Sequence, residues 1–223
     1  MSVRYAGLLA VFALSFAGAS RGQDLPPAFP RDGATLILDN AWGSVWDVVY
    51  TPGKPTPMHR HRFDFVGVEL ADSAVTITTL DGRRKTFPEP KGDSYFLPRG
   101  TTHIEETPLG SPARHAVIID LKDGSPPGLA DAPVAFQAGV ATKVADNPRV
   151  IVWDHVWVAG RAEPAPALAR NVFIVFVTAG VLSTRGAAAI SVAPGQVIFE
   201  PAGAVLPVAT ANGSVRGVVV ELK

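Results

Sequence analysis

Five histidines occur in 223 residues, and three of them stand where metal ligands would. His59 and His61 are one residue apart in PMHRHRFDF, and His103 closes GDSYFLPRGTTH. Alternate side chains of an extended segment share a face, so His59 and His61 point one way while Arg60 and Arg62 point the other. The sharp turn Pro98-Arg99-Gly100 starts the segment that brings His103 across to them. A lone His-x-His pair is ordinary strand chemistry; three imidazoles converging on one pocket are not. Neutral imidazole suits Fe, Mn, Zn, Ni or Cu, and three without a thiolate leave coordination positions open for a ligand or substrate. The chain has no cysteine, which removes thiolate sites, thiol nucleophiles and disulfides together.

Carboxylates near these histidines are candidates for acid–base work or for completing the shell. Glu105 shares strand parity with His103 and is the leading catalytic candidate. Glu69 shares parity with His59 and His61, whereas Asp64 faces inward only if a bulge intervenes. His115 lies on one face with Val117, Ile119 and Leu121, which reads as the inward face. There it would be a fourth ligand, a partner to a ligand, or a hydrogen-bonded core histidine.

Many short strands must position these groups. Hydrophobic residues make up 47% of the chain, with 21 Gly and 20 Pro, a pattern of strands joined by turns. TLILDN, GSVWDVVY, VGVEL, AVTITTL, SYFLP and RHAVIIDLK read as strands, and Asp81-Gly82 as a two-residue hairpin turn with both residues at positive φ. The fold class is therefore all-β. Twenty basic and twenty acidic residues balance, which argues against nucleic acid as a partner and points to a small-molecule ligand or substrate, with a homodimer an open option. Arg4, the apolar run LLAVFALSFA and Ala17-Gly18-Ala19 read as a signal peptide over residues 1–19. The mature chain is then expected to be periplasmic or secreted, with no transmembrane span after cleavage. Residues 20–32 read as a flexible leader and 123–146 as a linker.

Beyond the linker the chain repeats itself. Trp46-Asp47, Val49, Gly53 and Pro57 reappear as Trp153-Asp154, Val156, Gly160 and Pro164, all at an offset of 107 residues. Gly92, Pro98 and Gly100 reappear as Gly195, Pro201 and Gly203, and VIIDLK matches the terminal VVVELK. In the second copy Pro166, Leu168 and Leu206 replace His59, His61 and His103, so 33–122 reads as the metal-bearing unit and 147–223 as a unit without ligands. Its histidine, His155, reads as structural, and Trp42, Trp46, Trp153 and Trp157 as core.

These motifs resemble those of the cupin superfamily in its two-domain, bicupin form. Gly53, His59 and His61 match the first cupin motif, and Gly92, Pro98, Gly100 and His103 match the second. The resemblance implies two tandem jelly-roll β-barrels with the site inside. It also exposes a departure: the family glutamate ligand falls at Phe65 or Val66, and the spacing of the second copy favours Val66. The terminal Asn of the second motif is replaced by Thr107. A three-histidine shell is similar to that of the thiol and diketone-cleaving dioxygenases, which implies Fe(II) as the metal, with Mn, Zn, Ni or Cu as alternatives. The leading function is an Fe(II)-dependent dioxygenase on a small organic substrate. A non-catalytic ligand-binding or sensor protein and a Zn- or Mn-dependent isomerase or hydrolase are the alternatives.

Overall fold

The computed structural model describes residues 24–124, 132–136, 140–158, 167–183, 188–206, 208–209 and 213–223. The expected signal peptide, Gly160, Pro164 and Pro166 lie outside the described residues.

The described chain is all-β, with no helix and every strand pairing antiparallel. The first half contributes β1 (Ala34–Asp39), β2 (Gly43–Tyr50), β3 (His59–Arg60), β4 (Asp64–Glu69), β5 (Ser73–Thr79), β6 (Arg84–Glu89), β7 (Ser94–Leu97), β8 (Thr102–Glu106) and β9 (Arg114–Leu121). They form two sheets, in the orders β1-β2-β9-β4-β7 and β3-β8-β5-β6. The second half contributes β10 (Thr142–Asp146), β11 (Val150–Val158), β12 (Val172–Phe176), β13 (Gly180–Ser183), β14 (Ile190–Val192), β15 (Val197–Glu200), β16 (Val208–Ala209) and β17 (Ser214–Leu222). Its five-stranded sheet, β10-β11-β17-β12-β15, repeats the connectivity of the first.

The repeat extends to side chains. Trp46 donates its indole N–H to Asp120, and Trp153 donates its own to Glu221, the equivalent carboxylate of the second copy. Phe29 stacks on Trp46 with centroids 5.0 Å apart, and Phe136 meets Trp153 edge-on at 5.8 Å. Phe29 comes from the expected leader and Phe136 from the expected linker. Part of the leader is instead a strap: Arg60 donates its backbone N–H to Pro26, Ala28 donates back to Arg60, and Ala28 and Phe29 are buried. Part of the expected linker is ordered as well, since β10 pairs with β11 and Phe136 is core.

The two five-stranded sheets pack on each other through a shared apolar layer. Val66, Val68, Val117, Ile119 and Leu121 of the first meet Val152, Phe173, Val175, Val218 and Val220 of the second. Strands β4 and β9 are thus apolar on both faces, as strands between two cores must be. This corrects two expectations. The face carrying Val117, Ile119 and Leu121 turns toward the second half, and His115 sits half-buried on it, 2.5 Å from Asp47 and away from the metal ligands. Val66 also turns to that layer, so Phe65 is the inward residue where the glutamate was expected.

The hairpin joining β5 to β6 differs in detail from the expected turn. Gly82 donates its N–H to Thr79, Thr79 donates its own to Arg83, and Gly82 alone has positive φ. Leu80, Asp81 and Gly82 therefore form a three-residue loop with its left-handed position at glycine.

Candidate metal centre

His59 lies on β3 directly opposite His103 on β8, and His61 follows β3 by one residue. The turn before β8 fixes this register. Gly100 donates its N–H to the carbonyl of His61, and His61 donates its own to Thr101. Gly100 sits at φ +84°, a conformation that L side chains rarely adopt. The three rings are buried, with centroids 4.8 to 5.2 Å apart, while Arg60 and Arg62 point to solvent. One nitrogen from each ring lies within 4.8 Å of the others.

The protonation chemistry suits ligands. His59 Nδ1 lies 2.9 Å from the carbonyl of Pro57, which fixes the proton on that nitrogen and leaves Nε2 as the lone pair. That Nε2 is buried without a hydrogen-bond partner, as is His61 Nδ1. His61 Nε2 and His103 Nε2 face each other at 3.3 Å. Burial, reinforced by the neighbouring His103, lowers the pKa of His61 to about 3, and burial lowers that of His103 to about 4. Burial lowers His59 too. Burial disfavours the charged form of all three rings, and one nitrogen of each lies close to the others, a donor set that fits a divalent cation.

Every carboxylate that competed for the site is held by arginine. Arg114 is fully buried on β9 and donates to Glu69 Oε1 at 2.6 Å and to Glu105 Oε1 at 2.9 Å; its Nη2 also donates to the Tyr95 hydroxyl at 2.8 Å. Glu105 Oε2 accepts from Arg31 and from the Tyr50 hydroxyl, each at 3.0 Å. Burial opposes ionisation of Glu105, but the charges of Arg114 and Arg31 outweigh it and hold its pKa well below the ordinary carboxylate range. For Glu69 burial wins, and its pKa is raised. Asp64 turns outward: it accepts the backbone N–H of Arg99 at 2.8 Å and pairs with Arg149 of the second half at 3.1 Å, at an angle outside hydrogen-bond geometry. In the glutamate position Phe65 stacks flat on His61, centroids 3.9 Å apart.

The second half fills the corresponding place with hydrocarbon. Gly203 donates to the carbonyl of Leu168 as Gly100 does to His61, and Leu168 and Leu206 are buried in its core. His155 stacks on Phe136 at 4.4 Å and meets Trp157 edge-on, inside that core. Arg31, Phe29 and Arg114 were missed as site residues. For Arg114 the sequence signal was a charged residue opening the apolar strand RHAVIIDL; Phe29 and Arg31 lie in a segment that reads as a leader.

Among the described residues the fold is all-β and antiparallel, with a buried three-histidine cluster. The chain belongs to the cupin superfamily. It is 35% identical over 91 residues to the β-alanine degradation protein BauB of Pseudomonas aeruginosa, a match covering 41% of this chain and 92% of the relative. Among solved structures, a cupin 2 conserved barrel domain protein from Leptotrichia buccalis superposes with a TM-score of 0.57 at 12% identity, covering 85% of this chain and 88% of that one. AerE from Microcystis aeruginosa gives 0.61 at 12% identity, covering 85% and 97%. Salicylate 1,2-dioxygenase from Pseudoaminobacter salicylatoxidans gives 0.59 at 10% identity, covering 81% and 72%. No protein-family model matches the chain.

Proposed function

We propose that the protein is a metal-dependent cupin enzyme in which His59, His61 and His103 hold one divalent ion, with Fe(II) the leading candidate and dioxygenation of a small organic substrate the leading reaction. The observation that carries this reading is the donor set itself. Three buried imidazoles converge, His59 Nε2 has no hydrogen-bond partner, and Phe65 stacks where the carboxylate was expected. A bound ion would supply Lewis acidity and open positions for substrate and O₂.

The chain's own residues supply the rest. Phe65 and Phe29 line the ring cluster with apolar surface and keep water out, which favours neutral ligands and strong local electrostatics. The Pro57 carbonyl orients His59. Proton traffic is assigned to Glu105, whose oxygens are held by Arg114, Arg31 and Tyr50. Held ionised, it is a weak base, suited to a substrate proton that is acidified on binding. The second barrel has a structural role, backing the first sheet through the shared apolar layer. The division into one metal-bearing and one ligand-free unit, and export to the periplasm or medium, belong to the same reading. Cell fractionation of the tagged full chain tests export, and full retention in the cytoplasm would refute it.

The function is tested with iron-loaded protein and a panel of small aromatic, diketone and amino-acid substrates, following O₂ uptake. Uptake that one substrate elicits and that His61→Ala abolishes is the expected result. Iron-loaded protein that converts a substrate without consuming O₂ would overturn the dioxygenase assignment.

A further inference from the structure

The leader strap carries a cation into the barrel. Arg31 stands over the Phe29 ring at 4.9 Å and the Tyr50 ring at 5.0 Å, and Phe29 itself meets His61 edge-on at 6.3 Å. Its Nη2 is used twice, on Glu105 and on the Tyr50 hydroxyl. Its Nη1 is buried and has no hydrogen-bond partner. A guanidinium is a fork built to receive a carboxylate, and a buried N–H without an acceptor is costly.

The charge balance of the interior points the same way. Arg31 pairs with Glu105, and Arg114 with both Glu69 and Glu105. Three imidazoles bring no negative charge to a divalent ion. Glu69 and Glu105 already face arginines, and Asp64 turns outward to Arg99 and Arg149, so none of these three carboxylates compensates the ion. A buried uncompensated cation is unfavourable, and an incoming anion would neutralise it.

From these two observations we infer that the substrate class is a small organic carboxylate, whose carboxylate is received by Arg31 Nη1 while a neighbouring oxygen or nitrogen faces the histidines. The inference rests on the metal reading above. It gives the strap a function: residues 26–31 deliver the specificity-determining residue as well as closing the barrel. Arg31 is a binding residue here, and Glu105 and Tyr50 are the groups that position it.

The test uses full-length protein loaded with Zn(II), which prevents redox turnover, and calorimetric titration with pyruvate and with pyruvamide, its neutral analogue of similar shape. Wild-type protein is expected to bind one Zn(II) and to bind pyruvate at least about tenfold more tightly than pyruvamide. Arg31→Gln should keep the zinc and weaken pyruvate by about thirtyfold or more, the loss expected when one partner of a buried charge pair is removed. Arg31→Lys should fall between. The wild-type contrast needs no variant, so a poorly folding Arg31→Gln does not decide the matter. Zinc-loaded wild type that shows no preference for the anion overturns the carboxylate assignment alone. Wild type that binds no zinc overturns the metal reading, and this one with it.

Discussion

Replacing Arg114 by Met removes the cation at the centre of the interior polar network while preserving much of its volume. Arg114 donates to Glu69 through both Nε and Nη2 and to Glu105 through Nη1, and it is 1% exposed where Glu69 is 0%. Without it, Glu69 is left as a fully buried carboxylate with no cation, and Glu105 keeps only Arg31 and Tyr50. Breaking a buried pair this way costs about 3–5 kcal/mol, because the orphaned charge, not the lost attraction, dominates. For a chain of this length that corresponds to a fall in Tm of about 6–20 °C. Urea unfolding at pH 7 is the assay, and it should be repeated down to pH 5. The sign follows from Glu69, whose pKa is already raised by burial against the pull of Arg114. Removing Arg114 raises it further, so the protonated form dominates at the lower pH and the deficit of the variant should shrink there. Glu69→Gln added to Arg114→Met should recover part of the loss even at pH 7. A loss under about 1 kcal/mol at pH 7, or a deficit that grows on acidification, would refute the reasoning.

Other perturbations probe separate parts of the account. Asp120 has its pKa raised to about 6 by burial, with Trp46 donating against that trend, so wild-type stability should fall as pH rises from about 4 to 6. Asp120→Asn should flatten that slope in pH-dependent denaturation; an unchanged slope would exclude Asp120 as its source. Leu206→Ala opens the apolar filling of the second barrel and should cost about 2–5 kcal/mol by urea unfolding while metal content stays at the wild-type value. Loss of metal in that variant would show that the second unit does more than support. Phe65→Ala removes the ring stacked on His61 and should weaken metal retention against a chelator by about tenfold, since the ligand it orients becomes free to rotate.

The three-histidine cluster was legible because its segment is half-buried: alternation separates His59 and His61 from Arg60 and Arg62, and a glycine turn announces His103. Glu105 followed from the same parity on β8. Where strands are buried on both faces, alternation carries no information. On β9 the alternation of Val117, Ile119 and Leu121 marks the face that packs on the second half, so it carries His115 away from the rings and gives no sign of Arg114. On β4 the spacing of the repeat favoured Val66, although the pleat turns Phe65 to the rings. The strap was illegible for another reason. A segment rich in Pro and charge looks like a linker, and what orders it is tertiary: a short backbone pairing with Arg60 and the stack of Phe29 on Trp46. The repeat, by contrast, put Leu168 and Leu206 at the places of His61 and His103, and both are buried in a hydrophobic core.

The central claim is a centre of three imidazoles and no protein carboxylate. X-ray absorption spectroscopy on protein purified with its native metal, together with elemental analysis, addresses it most directly. One metal per chain with three histidine nitrogens in its coordination sphere is the predicted result, lost in His59→Ala, His61→Ala and His103→Ala alike. A metal retained in any of those variants, or a coordination sphere that changes in Glu69→Gln or Glu105→Gln through loss of an oxygen ligand, would contradict the account.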